Sequence, residues 1–235
     1  MKIESMDVVS FVEALKNKPT ESLFNPWFEN DPYHDARPDA PGIRKKQLQN
    51  YLTERLDSAK YLFIAEALGY QGGHFSGIAM TSERILLGHQ QEKYGIRPDH
   101  VIKENTVHRT SSENVNSLGM SEPTATIMWG SIIESGINPH ETVLWNAVPW
   151  HPYNPAKGLL SNRTPTQPEL EEGYRFLNQF LEIFPGRMVI AVGRKCEESL
   201  KHLGIDHIAV RHPANGGAPK FRKQLKEIVR NGNSK

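Results

Sequence analysis

Four short apolar runs punctuate the chain, each followed by a polar or glycine-rich turn, with segments of helical periodicity between them. The first, Tyr61-Leu62-Phe63-Ile64-Ala65, is continuous, aromatic and branched, as suits a strand buried on both faces of a parallel sheet. Thr142–Val148, Arg187–Val192 and His207–Val210 are the other three. Val8, Val9, Phe11, Val12 and Leu15 predict a short amphipathic helix over Met6–Leu15. Leu48, Tyr51, Leu52, Arg55 and Leu56 mark the buried face of a second helix over Ile43–Ala59. Ser121 with Pro123 starts a helix that runs to Glu134, and Gly136 stops it. Thr166 and Glu169 form a capping-box pattern, with Pro168 in the first turn of a helix reaching Phe184. Lys195–Leu203 and Pro219–Val229 are the last two helices. Phe24–Pro41, broken by four prolines, and Trp150–Thr166 read as loops. Gly88–Met120 is polar and aperiodic, with Arg109–Ser117 its least core-like part, and so long a connection is expected to be functional or disordered. Strands alternating with helices imply right-handed crossovers, hence an α/β fold with a four-stranded parallel sheet covered on both faces.

Length adds that 235 residues suit one domain, 1–235, with a helical and looped N-terminal extension (1–59) and an insertion (88–120). Mean hydropathy is −0.55, and no apolar run approaches the ~20 residues that span a bilayer. With no signal-peptide core near Met1, a cytoplasmic location and no membrane partner are expected. The single cysteine, Cys196, excludes an intrachain disulfide and any thiolate-built zinc or iron–sulfur site. GxxxxGK[ST], GxSxG and HExxH are all missing, so the expectation is no metal and no cofactor. Net charge is only +1, yet from Arg187 onward eleven Lys and Arg stand against four Asp and Glu. A basic C-terminal quarter suits a phosphate-bearing partner, although a charge run is more often a solvated face.

Candidate chemistry gathers at the strand ends. Glu66, Asn146 and His212 each follow or close a strand, and in a parallel sheet those ends share one edge. Gly69, Gly72, Gly73 and Gly77 follow Glu66 closely, so backbone can approach a ligand there, with Phe75 in the middle. Taken singly, Glu66 reads equally as a salt-bridging acid, Asn146 as a loop-satisfying amide, and His212 and Phe75 as core. Cys196 reads best as a small buried apolar residue. The clustering of the other four after strands is what favours a site.

Ala65-Glu66-Ala67-Leu68-Gly69 resembles the GEAPG first motif of branches of the uracil-DNA glycosylase superfamily, and Gly73-His74-Phe75-Ser76-Gly77-Ile78-Ala79 resembles their GxPFxGxAG segment. Asn146-Ala147-Val148 and Asn162-Arg163-Thr164-Pro165-Thr166 are similar to the NVV and NRTPT elements, and His212-Pro213-Ala214 to the HPS motif, in the same order. The resemblance spans about Lys60 to Val229 and implies a three-layer α/β/α sandwich. It also implies roles. Glu66 would stabilise the oxocarbenium-like sugar and orient water, while His212 would donate to the uracil carbonyl as charge grows there. Phe75 would stack the flipped base beside Gly69, and Asn146 would read its edge. Arg163, Arg211, Asn215, Lys220 and Arg222 would contact DNA, bound by a monomer and either single-stranded or damaged. The departures are Ala65 and Leu68 in place of glycine and proline, the missing iron–sulfur cysteines, and Ala214-Asn215-Gly216-Gly217-Ala218-Pro219 without a large apolar wedge. Asp31-Pro32-Tyr33-His34 copies part of the GQDPYH motif of another branch, but Pro26 and Asn25 break any strand before it, so it is set aside.

Three functions are consistent with this pattern. A glycosylase removing uracil or another deaminated base from DNA comes first. A relative that binds nucleic acid without turnover predicts salt-dependent binding and no product. A small-molecule nucleoside hydrolase predicts cleavage of free nucleosides with little salt dependence.

Overall fold

A computed structural model describes residues 6–103 and 107–232. In chain order the elements are α1 (Val8–Ala14), β1 (Leu23–Phe24), α2 (Ala40–Thr53), β2 (Tyr61–Ala67), α3 (Gly73–Ser76), α4 (Glu83–Leu86), α5 (Gln91–Tyr94) and α6 (Pro123–Glu134). Then follow β3 (Thr142–Val148), β4 (His151–Pro152), α7 (Gln167–Ile183), β5 (Met188–Val192), α8 (Arg194–His202), β6 (Ile208–Val210) and α9 (Ala218–Gly232). The four predicted strands form one parallel sheet in the order β3-β2-β5-β6. The helices flank it, as expected of an α/β fold.

That order reverses direction once. The chain steps from β2 outward to β3, then returns past β2 to β5 and β6. The two directions of crossover put α6 and α7 on opposite faces. Between the carboxyl ends of β2 and β5 the connections part to opposite sides and leave a crevice. On the α7 face, Trp145 of β3 stacks on Phe180 at 5.0 Å and meets Phe11 of α1 at 5.5 Å. Register sets the facing of the site residues. Ala65 lies beside Asn146 and Ile64 beside Trp145, so Asn146 turns away from the Trp145 face, whereas Glu66, two residues after Ile64, turns toward it.

Two segments without periodicity are nevertheless ordered. The proline-rich loop is built around Arg44, fully buried, which pairs with Asp35 at 2.6 Å and donates to the Pro26 and Glu29 carbonyls. The 88–120 insertion, of which residues 104–106 lie outside the described residues, contains α5 and a short 3-10 turn, and is anchored by Glu83. Buried Glu83 accepts the backbone N–H groups of Thr110 (2.6 Å), Ser111 (2.9 Å) and Met120 (3.2 Å), along with the Ser111 hydroxyl. The expectation of a structureless connection is corrected for the described part, because a carboxylate rather than a hydrophobic stripe supplies the anchoring.

Candidate active site

A cleft of about 590 Å³ opens at the carboxyl edge of the sheet. Its walls come from the end of β2 and the glycine loop (Ala65 to Gly69), the start of α6, the turn from β5 into α8, and the loop after β6. This is the crevice that the strand order creates.

Glu66 and His212 both line it. Glu66 is half-buried, and burial raises its carboxyl above the ordinary range, with Lys195 pulling it down and Glu198 pushing it up. It also borders a smaller cavity of about 320 Å³ with Thr164, Tyr174 and Glu198. His212 leaves β6 two residues after Val210, and its Nδ1 accepts the Ala214 N–H at 3.1 Å. A neutral ring must then carry its proton on Nε2, which makes Nε2 a donor. Burial, and secondly Arg211, push its pKa below the usual histidine value, which favours that neutral form. Gly193 makes this arrangement possible. Its φ is +90°, and a Cβ there would stand 2.9 Å from His212 Cβ.

The structure places the remaining predicted residues as follows. Gly69, Arg211 and Asn215 line the cleft, the last two on its exposed rim. Arg163 borders it, but its guanidinium is occupied by Glu169 (2.6 and 2.7 Å) and by the carbonyls of Ser22 and Tyr153 (both 2.9 Å). Lys220 is exposed in the first turn of α9, outside the cleft wall. Arg222 points to Glu134 at the far end of α6, 3.5 Å away. Phe75 and Asn146 are buried and are not part of the wall. Phe75 packs on His74, and its carbonyl accepts the Thr110 hydroxyl at 2.6 Å. Asn146 Oδ1 is buried with no hydrogen-bond partner.

Met80 and Glu122 are on the cleft wall, and sequence reasoning missed both. Met80 has φ +48°, rare for a non-glycine residue, at the position where the GxPFxGxAG pattern ends in glycine; that mismatch was a readable signal. Glu122 had none, because its place follows from the packing of the insertion. Arg194 and Lys195 also line the cleft, at the start of α8, and add positive charge to its rim.

Asp31 of the set-aside DPYH string is off the sheet, as expected, yet it supports the glycine loop from behind. Its Oδ2 meets His34 Nδ1 at 2.8 Å and His74 Nε2 at 3.1 Å. His74 Nδ1 lies 3.0 Å from His151 Nδ1, and His151 Nε2 lies 2.7 Å from the Ser161 carbonyl. A carbonyl can only accept, so a neutral His151 donates through Nε2 and leaves Nδ1 as an acceptor facing His74. Burial pushes the His74 ring down to about 3, so its neutral form has one proton for two contacts, given either to Asp31 through Nε2 or to His151 through Nδ1. Phe24, paired with His151 through β1 and β4, stacks on His74 at 4.0 Å and seals the chain of contacts.

Among the described residues no group of three His, Cys, Asp or Glu is placed to hold a metal ion. Cys196 is buried in α8, and burial pushes its thiol up to about 12, which leaves it inert as a nucleophile.

The uracil DNA glycosylase superfamily model matches residues 56–230, and the chain belongs to this superfamily. The match takes in β2 through most of α9, the whole sheet and every wall of the cleft. Among curated proteins no sequence relative matches the chain. Family membership brings with it a glycosylase-type function acting on DNA.

Proposed function

We propose that this protein is a monofunctional glycosylase that hydrolyses the N-glycosidic bond of uracil or another deaminated base in DNA. The observation that carries the reading is that Glu66 and His212, from the ends of β2 and β6, share one cleft at the sheet edge. Its volume suits a nucleobase, and Arg194, Lys195 and Arg211 on its wall suit the phosphates on either side.

The target base leaves the stack and enters the cleft. As the bond from C1′ to the base nitrogen breaks, its electron pair goes to the base and positive charge builds on the sugar. Nε2–H of His212 donates to the base carbonyl that gathers the negative charge. Glu66 faces the cation and takes a proton from the water that adds to C1′, a task suited to a carboxyl raised by burial.

The test is a panel of uracil-, hypoxanthine- and xanthine-containing oligonucleotides, single- and double-stranded, scored by alkali-sensitive cleavage with Glu66→Gln as control. Cleavage by wild type and its loss in the variant support the reading; no cleavage of any substrate by wild type rejects it. One observation favours a second reading, binding without turnover. Phe75 and Asn146 are shut away from the cleft, so the stacking and edge-reading groups of the family are not presented to it. That reading predicts salt-dependent oligonucleotide binding with no product.

A further inference from the structure

Glu122 is an acid placed where stability alone would not put one. It immediately precedes Pro123 at the start of α6, where a carboxylate ordinarily caps the helix, yet it makes no capping hydrogen bond. Its side chain turns instead into the glycine loop. A Cβ on Gly72 would lie 1.9 Å from Glu122 Oε2, and one on Gly69 would lie 3.8 Å from Oε1. Absence of side chains at 69 and 72 is what makes the room. There Oε2 is buried without any hydrogen-bond partner, and the residue forms part of the cleft wall. A buried carboxyl oxygen with nothing to bond is costly unless a ligand completes it. Asn146 Oδ1, on the strand position beside cleft-lining Ala65, is a second buried oxygen left unpaired.

We propose that Glu122 is a specificity-determining residue of this cleft: its protonated carboxyl group pairs with the lactam edge of the extruded base. A carboxylic acid presents O–H and C=O side by side, and a lactam presents C=O and N–H side by side, so the two close a ring of two hydrogen bonds. Uracil, hypoxanthine and xanthine all carry that edge. An ionised carboxylate has no hydrogen to give and would meet the base carbonyl with like charge. Burial pushes Glu122 up to about 7, so the acid form is available at neutral pH. The charged groups sharing the cleft are Glu66, Arg163, Arg194, Lys195 and Arg211, with His212 titratable beside them. Residues 69–72 of the loop bring no charge, and α6 carries one only at Glu134, at its far end.

This inference rests on the proposed glycosylase reading and deepens it. The experiment measures base release from a uracil oligonucleotide as a function of pH for wild type, Glu122→Gln and Glu122→Ala, alongside binding of an abasic oligonucleotide. Wild type is expected to lose activity as pH rises through about 7. Glu122→Gln, whose amide also offers a donor beside an acceptor, is expected to stay active and lose that alkaline limb. Glu122→Ala is expected to fall about 10- to 100-fold in kcat/KM, with abasic binding unchanged because no base is present to read. A Glu122→Gln protein as inactive as Glu66→Gln would mean an ionised catalytic base and would overturn the inference, as would Glu122→Ala matching wild type. Both results require active wild type, so they are distinct from an inactive wild type, which removes the parent reading and this inference together.

Discussion

Replacing Glu83 by alanine isolates the contact that anchors the segment leading into the Glu122 side of the cleft. The carboxylate is 1% exposed and accepts three backbone N–H groups and two hydroxyls from the segment 110–120. Truncation leaves those donors facing a cavity. A buried donor without a partner costs about 1–3 kcal/mol, but water entering the cavity recovers part of it, and removal of the buried charge relieves its own desolvation. The net expectation is a loss of about 3–5 kcal/mol, among the larger effects of single substitutions. Urea unfolding followed by tryptophan fluorescence reads it as a lower midpoint with an unchanged slope. Because Met120, one of the anchored residues, is two positions before Glu122, the same substitution is expected to lower base release under conditions where the protein is still folded. A loss below about 1 kcal/mol would refute the reasoning, since it would mean that water satisfies those donors as well as the carboxylate does.

The Glu66→Gln protein is expected to lose base release and to remain folded, checked by oligonucleotide cleavage and circular dichroism; activity retained in Glu66→Gln would remove that residue from the chemistry. Gly72→Ala puts a methyl group into the Glu122 carboxyl and should reproduce the Glu122→Ala defect, at a cost of about 1–3 kcal/mol, because the glutamate side chain can swing out but the Thr81 carbonyl, 3.2 Å from the new methyl, must also give. Stability is expected to fall on acidification in two stages. Burial holds His151 down to about 4 against the ordinary 6.5, so the unfolded chain binds the extra proton first between those values. Asp31, kept at about 2 by His74 and His34 against the effect of burial, loses its contribution as pH falls below 3.8. Glu122 acts with the opposite sign: its folded pKa lies above the ordinary 4.5, so stability declines as pH rises from there through about 7, and Glu122→Gln should abolish that decline in a pH series of melts.

The sheet was legible in the sequence because buried parallel strands leave a local mark. Thr142–Val148 matches its predicted bounds, Tyr61–Ala65 extends only to Ala67, and the Thr166/Glu169 capping box forms as read, with the Thr166 N–H on Glu169 at 2.8 Å. Alternating strands and helices were sufficient to place Glu66 and His212 on one edge. Orientation and burial at that edge were another matter. Glu169 not only caps α7 but also binds Arg163, which removes that guanidinium from the free cations, and nothing in the spacing of the two residues reveals Ser22 and Tyr153 on its other side.

By itself, then, the sequence determined the order of elements, the parallel sheet and the placing of Glu66 and His212 on one edge, since each depends on neighbours within a few residues or on the handedness of crossovers. Tertiary structure alone decided which side chains the cleft presents. Phe75 and Asn146 went beneath the surface, and Met80 and Glu122 came to the wall, through contacts between segments tens of residues apart: Thr110 on the Phe75 carbonyl, and Met120 on Glu83. Such contacts are bought with buried polar hydrogen bonds, which carry no periodic signature, so they appear only once the chain has folded.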